Sequence, residues 1–534
     1  MRRRTFLSLL SVTPWLVTAR HTSFAVSDEP LNYDVVVYGG TAGGAIAAIA
    51  AAQEGLKTAL LEPRDHIGGM VSGGLGRTDH ANKTVIGGMS REFFLRAGKH
   101  YGEPISWFFE PSVAEQIYRD WLAEAKVEVL FRHRVETVHK TGRRIQNIRM
   151  DNGRVFTARV FMDCSYEGDL LPRAGITYTW GRESQDVYGE SLAGRIAHSP
   201  QHQFLFPLSP YDENGNLLPL VYSGDPGRPG EGDKKVQAYN FRLCLTNRKS
   251  NQVPFPRPPG YDPRRFALLA RYLREAERRG MTLGMKQMMI VSPMPNQKTD
   301  INNSGPISTD YIGGSWNYPE ADYATREKIW NEHVHYVQGF LYFLANDPAV
   351  PDRLRNEINE WGLAKDEFTD TNHWPHQLYV REARRMIGEN VMVQADLQTH
   401  RTKSDSIGMG SYNSDSHHVQ RIPTPEGTVV NEGDMQVPVR PYEISYSAMT
   451  PKAEECENLL VPVCFSASHV AYSSLRMEPQ YMIFGHAAGL AAAQAIHSHV
   501  PVQQIDIPKL QEKLRAQNAV LNLRDAEENA KNPQ

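Results

Sequence analysis

Residues 34–70 have the sequence DVVVYGGTAGGAIAAIAAAQEGLKTALLEPRDHIGGM, whose segments predict one βαβ unit. Residues 34–38 are an apolar, β-branched run suited to a buried strand, and residues 39–44 form a glycine-rich turn. Residues 45–53 are an alanine-rich helix, and the apolar run 57–61 is a second strand. A strand, a tight glycine turn, a helix and a second strand in this order are typical of a dinucleotide-binding site.

The turn and the acid that ends the second strand supply the first predicted binding residues: Gly39, Gly40, Thr41, Ala42, Gly43, Gly44 and Glu62. Gly39 makes the turn tight, and Gly44 lets the helix pack closely on the strand. The helix N-terminus directs N–H groups at a diphosphate, and Glu62 accepts hydrogen bonds from ribose hydroxyls. Thr41 replaces the usual middle glycine, so it either donates a hydroxyl hydrogen bond to the phosphate or pushes it away. The alternative is a plain α/β turn without a ligand.

A second glycine-rich segment follows the acid and bears on which dinucleotide is bound. Residues 63–70 read PRDHIGGM, and a glycine pair recurs at 73–74. This pattern resembles the extended fingerprint of the glutathione-reductase-type FAD proteins, in which the chain passes under the flavin ring. The resemblance implies FAD rather than NAD, and it adds these binding residues: Pro63, Arg64, Gly68, Gly69, Met70, Gly73 and Gly74.

Composition excludes several classes of protein. The 534 residues are enough for two or three domains, and the net charge of −3 gives no electrostatic reason to expect a nucleic-acid partner. No apolar run approaches the roughly 20 residues of a membrane helix, so no membrane span is expected in the mature chain. The four cysteines include no C-x-x-C pair, which argues against both a disulfide scaffold and a flavin disulfide reductase.

The N-terminus predicts an export signal. Residues 1–25 have a basic start, a short apolar core and small residues after it, which is typical of a signal peptide. Residues 3–7, RRTFL, also resemble the twin-arginine export motif, and this predicts a periplasmic or secreted protein. An ordinary Sec signal and a basic tail are the alternatives.

Residues 127–164 predict a β-meander, because alternating apolar residues are separated by turn signals at 141–142 and 151–153. In flavoproteins of this type the backbone near Val135 meets the adenine. Residues 163–169, DCSYEGD, resemble the return to the FAD sheet and add Ser165 and Asp169 to the binding residues. A strand end with an acidic helix cap is the alternative for Asp169.

Two later segments supply the catalytic candidates. Residues 378–396 predict a hairpin, in which LYVREARRMI is followed by a turn at 388–390 and by VMVQAD. Alternation places Tyr379, Arg381 and Arg385 on one face, and His376 lies just upstream. A solvated basic face is the alternative explanation of this run.

Residues 458–489 predict a strand, a polar loop and a small-residue helix that begins near Pro479. In this class of flavoprotein the N-terminus of that helix meets the flavin N1–C2=O edge, so Met477 joins the binding residues and Arg476 adds positive charge. His469, in the loop, is the candidate base. Alternatively, His469 only caps the loop and Arg476 pairs with Glu478.

Nearly the whole mature chain resembles the FAD-dependent oxidoreductase family of bacterial exported proteins. The resemblance is carried by YGGTAGG, IGGMVSGGLG, FMDCSYEGDL, WPHQLYVREARRM and LVPVCFSASHVAYSSLRMEP. Some members carry a xanthan lyase label, but a lyase has no evident need for an FAD fingerprint. The implied fold is α/β: a GR2-type FAD-binding Rossmann-like domain with a β-meander (residues 33–182 and 435–525) and an inserted mixed α+β substrate or cap region (183–434).

The expected function is hydride transfer from a small polar organic substrate, such as a carbohydrate or another alcohol, to flavin N5. No second nucleotide fingerprint is evident, so the electron acceptor is expected to be O₂, a quinone or a carrier protein. A non-catalytic FAD-binding protein is the alternative. A metal hydrolase using His333 and His335, or His417 and His418, is a weak third possibility, and no metal is expected.

Overall fold

The computed structural model describes residues 29–197 and 199–531, so the predicted signal segment 1–25 lies outside the described residues. The α-helices are α1 (Ala42–Gln53), α2 (Gly69–Ser72), α3 (Gly88–Tyr101), α4 (Pro111–Glu124), α5 (Leu170–Arg173), α6 (Gln185–Tyr188), α7 (Ala267–Arg278), α8 (Tyr323–Asn346), α9 (Asp352–Asn359), α10 (Gln394–Gln398), α11 (His469–Leu475), α12 (Glu478–Ser498), α13 (Ile507–Ala516) and α14 (Leu523–Lys531). The strands are β1 (Leu31–Asn32), β2 (Val35–Tyr38), β3 (Thr58–Glu62), β4 (Glu128–Phe131), β5 (Val135–Thr141), β6 (Arg144–Met150), β7 (Val155–Thr157), β8 (Val160–Asp163), β9 (Tyr178–Thr179), β10 (Leu243–Thr246), β11 (Gln252–Val253), β12 (Met289–Met294), β13 (Lys298–Asn303), β14 (Gly362–Ala364), β15 (Arg385–Met386), β16 (Ser406–Gly410), β17 (Ser414–Ser416), β18 (Gln420–Pro423), β19 (Val429–Glu432), β20 (Met435–Val437), β21 (Tyr442–Ser445) and β22 (Leu459–Leu460).

A parallel sheet of order β22-β8-β2-β3-β4 forms the centre of the fold. Val35 on β2 pairs with Thr58 on one side and with Val160 on the other. The central strands β2 and β8 are buried at every residue because helices cover the sheet, as a parallel sheet requires. Strand β22 comes from the far end of the sequence and pairs with β8, so both ends of the chain build this sheet. The predicted α/β class with a Rossmann-like core is confirmed.

Helices α1 and α12 pack against each other through glycine and alanine. A Cβ placed on Gly485 would lie 2.2 Å from the carbonyl oxygen of Gly43, and one on Gly489 would lie 2.5 Å from the Cβ of Ala50. Both distances are far below van der Waals contact. The small-residue face predicted for the helix that begins near Pro479, which is α12, is therefore needed for its close contact with α1.

The predicted β-meander is present as β5, β6 and β7, with β1 added in parallel to β7. It is shorter than the sequence pattern indicated, because residues 128–131 and 160–163 belong to the parallel sheet instead. The apolar alternation continues across both sheets, so the pattern alone does not show where the meander ends.

The middle of the chain contains a five-stranded antiparallel sheet of order β11-β14-β10-β13-β12 and the long helix α8. The hairpin predicted over residues 378–396 is wrong. Strand β15 consists of Arg385–Met386 alone and pairs with β9, far away in the sequence. The basic face is not solvated either, because Arg381 and Arg385 are buried and paired with carboxylates. The domain boundaries stay a prediction.

No helix in the described part of the chain has the length and apolar character needed to cross a membrane.

Candidate functional site

A groove of about 540 Å³ opens at the carboxyl ends of the parallel strands, where α/β sheets bind their ligands. Eight of the predicted binding residues line it: Gly39, Thr41, Glu62, Pro63, Arg64, Gly69, Ser165 and Asp169. His376, a predicted catalytic residue, lies at one end. The groove therefore follows the path that the glycine fingerprint predicts for a dinucleotide.

The glycine turn has the geometry of a phosphate cradle. Gly39 has φ +101°, and a Cβ there would lie 2.6 Å from the backbone nitrogen of Ser165. Thr41 is the N-cap of α1: its Oγ1 accepts the N–H of Gly44 at 3.1 Å and donates to the carbonyl of Cys164 at 2.9 Å. The Thr41 hydroxyl is thus used to hold the turn together. This explains why threonine is tolerated at the middle glycine position.

Glu62 stands at the end of β3 and ties the turn to the following segment. Its Oε2 accepts the N–H of Gly40 at 2.7 Å, and its Oε1 accepts the N–H of Arg64 at 2.7 Å. Burial raises the pKa of Glu62 to about 7, and the two N–H groups oppose that shift. The carboxyl group is fixed at the groove wall, where a ribose hydroxyl can reach a remaining lone pair.

Asp169 connects the end of β8 to the middle of the chain. It accepts from Arg326 at 2.8 Å and from Arg384 at 3.2 Å. Burial favours its neutral form, but the arginines outweigh burial and lower the pKa of Asp169. Asp169 occupies the N-cap position of α5, as the alternative interpretation held, but its side chain makes no cap hydrogen bond, and Asp163 accepts the N–H of Leu170 instead.

These residues fit the adenosine and diphosphate portion of FAD. The first N–H groups of α1 have no partner within the helix, Glu62 offers acceptors, and Arg64 and Arg134 bring positive charge to the groove. Val135 has its N–H on Tyr38 Oη at 3.3 Å and its carbonyl on Tyr323 Oη at 2.9 Å.

The N-terminus of α12 fits the flavin end. Met477 is its N-cap, and Glu478, the first helical residue, accepts from Tyr166 Oη at 2.7 Å. Burial raises the pKa of Glu478 to about 8. Glu478 Oε2 and Gln480 Oε1 are buried without a hydrogen-bond partner among the described residues. Such unpartnered buried polar atoms are rare in proteins and are expected where a bound group belongs.

Arg476 precedes α12 and does not pair with Glu478, so that alternative is wrong. It donates to Tyr379 Oη at 3.1 Å and to the carbonyl of Asp415 at 2.7 Å, and its Nη2 lies 3.8 Å from the Asp415 carboxylate. Arg476 therefore joins the start of α12 to a buried group of polar side chains.

We call that group the polar cluster; it comprises Gln237, Asn240, Asp310, Arg381, Asp415, His417, Asp434 and Arg476. Asp310 accepts from His417 Nδ1 at 2.7 Å, and its other oxygen lies 3.0 Å from Arg381 Nη2. Many of its buried polar atoms have no hydrogen-bond partner among the described residues: Gln237 Nε2, Asn240 Oδ1, Arg381 Nε, Asp415 Oδ1, Asp434 Oδ1 and Arg476 Nε. The polar cluster thus has both donors and acceptors that could form hydrogen bonds with a ligand.

His469 is not in the predicted loop but begins the short helix α11, and it is fully surrounded. Its Nδ1 is 2.8 Å from Glu382 Oε2, its Nε2 is 3.3 Å from Ser416 Oγ, and its backbone N–H donates to Glu183. Both ring nitrogens are therefore occupied by the protein. Neither His469 nor Arg381 lines the groove.

His376 stacks on His66, with ring centroids 3.8 Å apart and planes within 7° of parallel. Burial lowers the pKa of His376 to about 3, so this ring is neutral. With Glu115 the two rings form the one group in the described residues whose ligand atoms are close enough for a metal ion. The rings are parallel, so their in-plane lone pairs do not converge on a common ion, and we assign no metal.

The remaining predicted binding residues lie outside the groove lining. A Cβ on Gly74 would lie 1.9 Å from the carbonyl of Arg242, so the segment after α2 runs tightly beside β10. Gly40, Ala42, Gly43, Gly44, Gly68, Met70, Gly73 and Gly74 do not line the groove, and neither do Val135 and Met477.

Sequence reasoning missed Tyr166, Arg134 and Arg326 in the groove, and Asp310 with His417 in the polar cluster. The histidine pair at 417–418 was visible but was considered only as a metal motif.

A model of the family described as FAD dependent oxidoreductase matches residues 34–514 of the chain. The search of curated proteins found no match to this chain. Among solved structures, a geranylgeranyl bacteriochlorophyll reductase-like protein from Thermoplasma acidophilum is 14% identical over 94% of this chain and 88% of its own, with a TM-score of 0.36.

Two other solved structures match less of the chain. OxyS anhydrotetracycline hydroxylase from Streptomyces rimosus is 14% identical over 32% of this chain and 41% of its own, with a TM-score of 0.24. A flavin-containing monooxygenase from Stenotrophomonas maltophilia is 19% identical over 29% and 43%, with a TM-score of 0.20. The chain thus spans less than half of each of these two proteins, and TM-scores this low add nothing to the family match.

Proposed function

The chain belongs to the family of FAD-dependent oxidoreductases, and from that premise we propose that it oxidises a small polar organic molecule by hydride transfer to flavin N5. A carbohydrate or another alcohol is the favoured substrate. The observation that carries the proposal is the polar cluster, whose orphaned donors and acceptors reach the start of α12 through Arg476.

Bound FAD supplies the two-electron acceptor, and the protein supplies binding and charge. The glycine turn and Glu62 would hold the adenosine and diphosphate. The N-terminus of α12, with Arg476 beside it, would favour the negative charge that reduction leaves on the flavin. Burial opposes the charge on Arg476, yet Tyr379 and Asp415 raise its pKa, so the cation is retained at every physiological pH.

The unpartnered atoms of the polar cluster suit an uncharged molecule that is rich in hydroxyl groups. They include donors (Arg381 Nε and Gln237 Nε2) and acceptors (Asn240 Oδ1 and Asp415 Oδ1), and a hydroxyl group satisfies either kind. The arginines are balanced by carboxylates, so the cluster has no surplus positive charge for an acidic substrate.

An anaerobic screen tests the proposal. The purified FAD-loaded protein is mixed with neutral sugars and polyols, and separately with the matching sugar acids and amines, while the visible absorbance of the flavin is followed. We expect bleaching by members of the first group. A flavin that no compound reduces, although light-driven reduction still bleaches it, would leave a binding role as the better explanation.

Matched asparagine variants connect the result to the polar cluster. Asn240→Ala removes an orphaned acceptor and should raise the substrate concentration needed for half-maximal reduction, while FAD stays bound. Asn346→Ala, at the exposed end of α8, should change neither quantity. Equal effects of the two variants would exclude the polar cluster as the substrate site.

We further propose export through the twin-arginine pathway, supported by the sequence of residues 3–7, and reoxidation by O₂, a quinone or a carrier protein. Following the reduced flavin after addition of air or of a soluble quinone distinguishes the acceptors.

A further inference from the structure

His417 and Asp310 form a buried pair at the centre of the polar cluster. The His417 Nδ1 to Asp310 Oδ2 distance is 2.7 Å, and the His417 backbone N–H donates to Gln237 Oε1 at 3.0 Å. Arg381 lies 3.0 Å from the other oxygen of Asp310. His417 is therefore held by a hydrogen bond at its backbone N–H and by another at Nδ1 of its ring.

The other ring nitrogen is free to act. His417 Nε2 forms no hydrogen bond with the described residues, and it lies 4.0 Å from Asp415 Oδ1. Since Nδ1 carries the proton that is donated to Asp310, Nε2 presents a lone pair near the unpartnered Oδ1 of Asp415. An imidazole with this tautomer is the usual form of a general base.

The surrounding charges keep the pair in this state. Burial and Arg381 lower the pKa of His417 to about 4, against the opposing effect of Asp310 and Asp415. Burial raises the pKa of Asp310, but Arg381 and His417 outweigh it and lower that pKa to about 2.

Two more titratable groups interact with the pair. Burial raises the pKa of Asp434 to about 8 and lowers that of His202, so both are neutral near pH 7. Asp310 is then the ionised partner that holds a neutral His417.

The pair is also connected to the flavin end. Asp415, two residues before His417, is bound by Arg476, which immediately precedes the N-cap of α12. His469, the base suggested by the sequence, has both ring nitrogens occupied and lacks this free lone pair.

We propose that His417 is the catalytic base of this enzyme and that Asp310 is its positioning residue, an inference that rests on the proposed function. The substrate alcohol loses its O–H proton to Nε2 of His417. The electron pair of the C–H bond would leave as a hydride, for which FAD held by the glycine turn and the N-terminus of α12 would be the two-electron acceptor, and the C–O single bond would become a carbonyl. Asp310 stays ionised and stabilises the imidazolium that forms.

The test compares the FAD-loaded wild type with His417→Gln, Asp310→Asn and His418→Gln. His418 is the matched control, because it is the next residue, is also buried, and donates from Nε2 to the carbonyl oxygen of Gln201 instead. Three quantities are measured: FAD content, the nitrogen-15 NMR signals of the His417 ring, and the rate of anaerobic flavin reduction by the sugar or polyol that reduces the wild type fastest.

We expect all four proteins to hold FAD. The wild-type ring should be the neutral Nδ1–H tautomer from pH 8 to pH 5, and Asp310→Asn should raise the share of Nε2–H tautomer. His417→Gln should slow reduction by about 10²-fold or more, the usual scale of general base catalysis. Asp310→Asn should slow it as well, whereas His418→Gln should retain the wild-type rate.

Three outcomes overturn the inference. If the wild-type ring is doubly protonated at pH 7 or carries its single proton on Nε2, then Nε2 has no lone pair with which to accept the substrate proton. If His417→Gln reduces its flavin at the wild-type rate, another group is the base while the proposed function stands. If no sugar or polyol reduces the wild-type flavin, the proposed function fails and the base assignment fails with it.

Discussion

Replacing Gly44 with alanine should weaken the binding of FAD in the groove. The new Cβ would lie 2.0 Å from the carbonyl oxygen of Gly39 and 3.0 Å from Cys164 Cβ, whereas ordinary contact begins at 3.4 Å. The turn and α1 must separate by about 1.4 Å to relieve the first contact. Overpacking of this kind costs about 1–3 kcal/mol. The displaced atoms are those that cradle the diphosphate. If FAD binding loses the same free energy, the affinity for FAD falls by about 5-fold to 150-fold.

The assay is the ratio of bound FAD to polypeptide after gel filtration, measured together with the free energy of unfolding. Gly142→Ala is the control for general destabilisation. Gly142 has φ +57° in the exposed β5–β6 turn with no atom within 4 Å, so alanine there costs about 1–2 kcal/mol through backbone strain alone. We expect both variants to be less stable and Gly44→Ala alone to lose FAD. Full FAD occupancy in Gly44→Ala, or equal loss in both variants, would refute the reasoning.

Three further predictions concern charge and export. Asp169→Asn should lower the free energy of unfolding by about 3–5 kcal/mol near pH 7, because buried arginines lose their partner. Folding lowers the pKa of Asp169, so the wild type loses this stabilisation as the carboxylate is protonated. Denaturant titrations should therefore show a smaller difference between variant and wild type as the pH falls below about 4. Burial lowers the pKa of His333 to about 4, so between about pH 6.5 and pH 4 the unfolded chain binds a proton that the folded chain excludes. The free energy of unfolding should therefore fall as the pH is lowered through that range, and His333→Leu should make this fall smaller. An unchanged pH dependence in the variant would contradict the assignment. Replacing Arg3 and Arg4 with lysine should hold the precursor in the cytoplasm, and unchanged export in cell fractionation would indicate a Sec signal.

The parts of the fold that were predictable are those in which neighbouring residues determine the structure. The glycine turn, the alanine-rich helix and the acid of residues 34–62 are contiguous, and each constrains the next through close backbone packing. The small residues of α12 were also informative, because Gly485 and Gly489 have no other use in a helix interior than close approach. Helix α1 begins three residues earlier than its alanine run indicated, at Ala42, because Thr41 serves as its N-cap.

The run 378–385 shows where periodicity fails. Alternating arginines usually indicate a solvated strand, since burying a charge is costly without a partner. Here each arginine has a partner that is distant in sequence: Arg381 has Asp310, and Arg385 has Glu183. A pattern within eight residues contains no information about carboxylates 71 or 202 positions away, so burial of this segment was not predictable.

The same limit explains why the sequence favoured His469 over His417. His469 lies in a segment with a recognisable helix start, and position relative to that helix was the only guide to its role. The environment of a base is set by what faces each ring nitrogen: for His469 these are Glu382 and Ser416, whereas His417 has Asp310 on one side and an open lone pair on the other. Asp310 comes from an irregular segment 107 residues from His417, and no spacing rule connects the two. The cofactor fingerprint is local and therefore legible in the sequence, whereas the chemistry of the substrate site is assembled from segments that only the folded chain brings together.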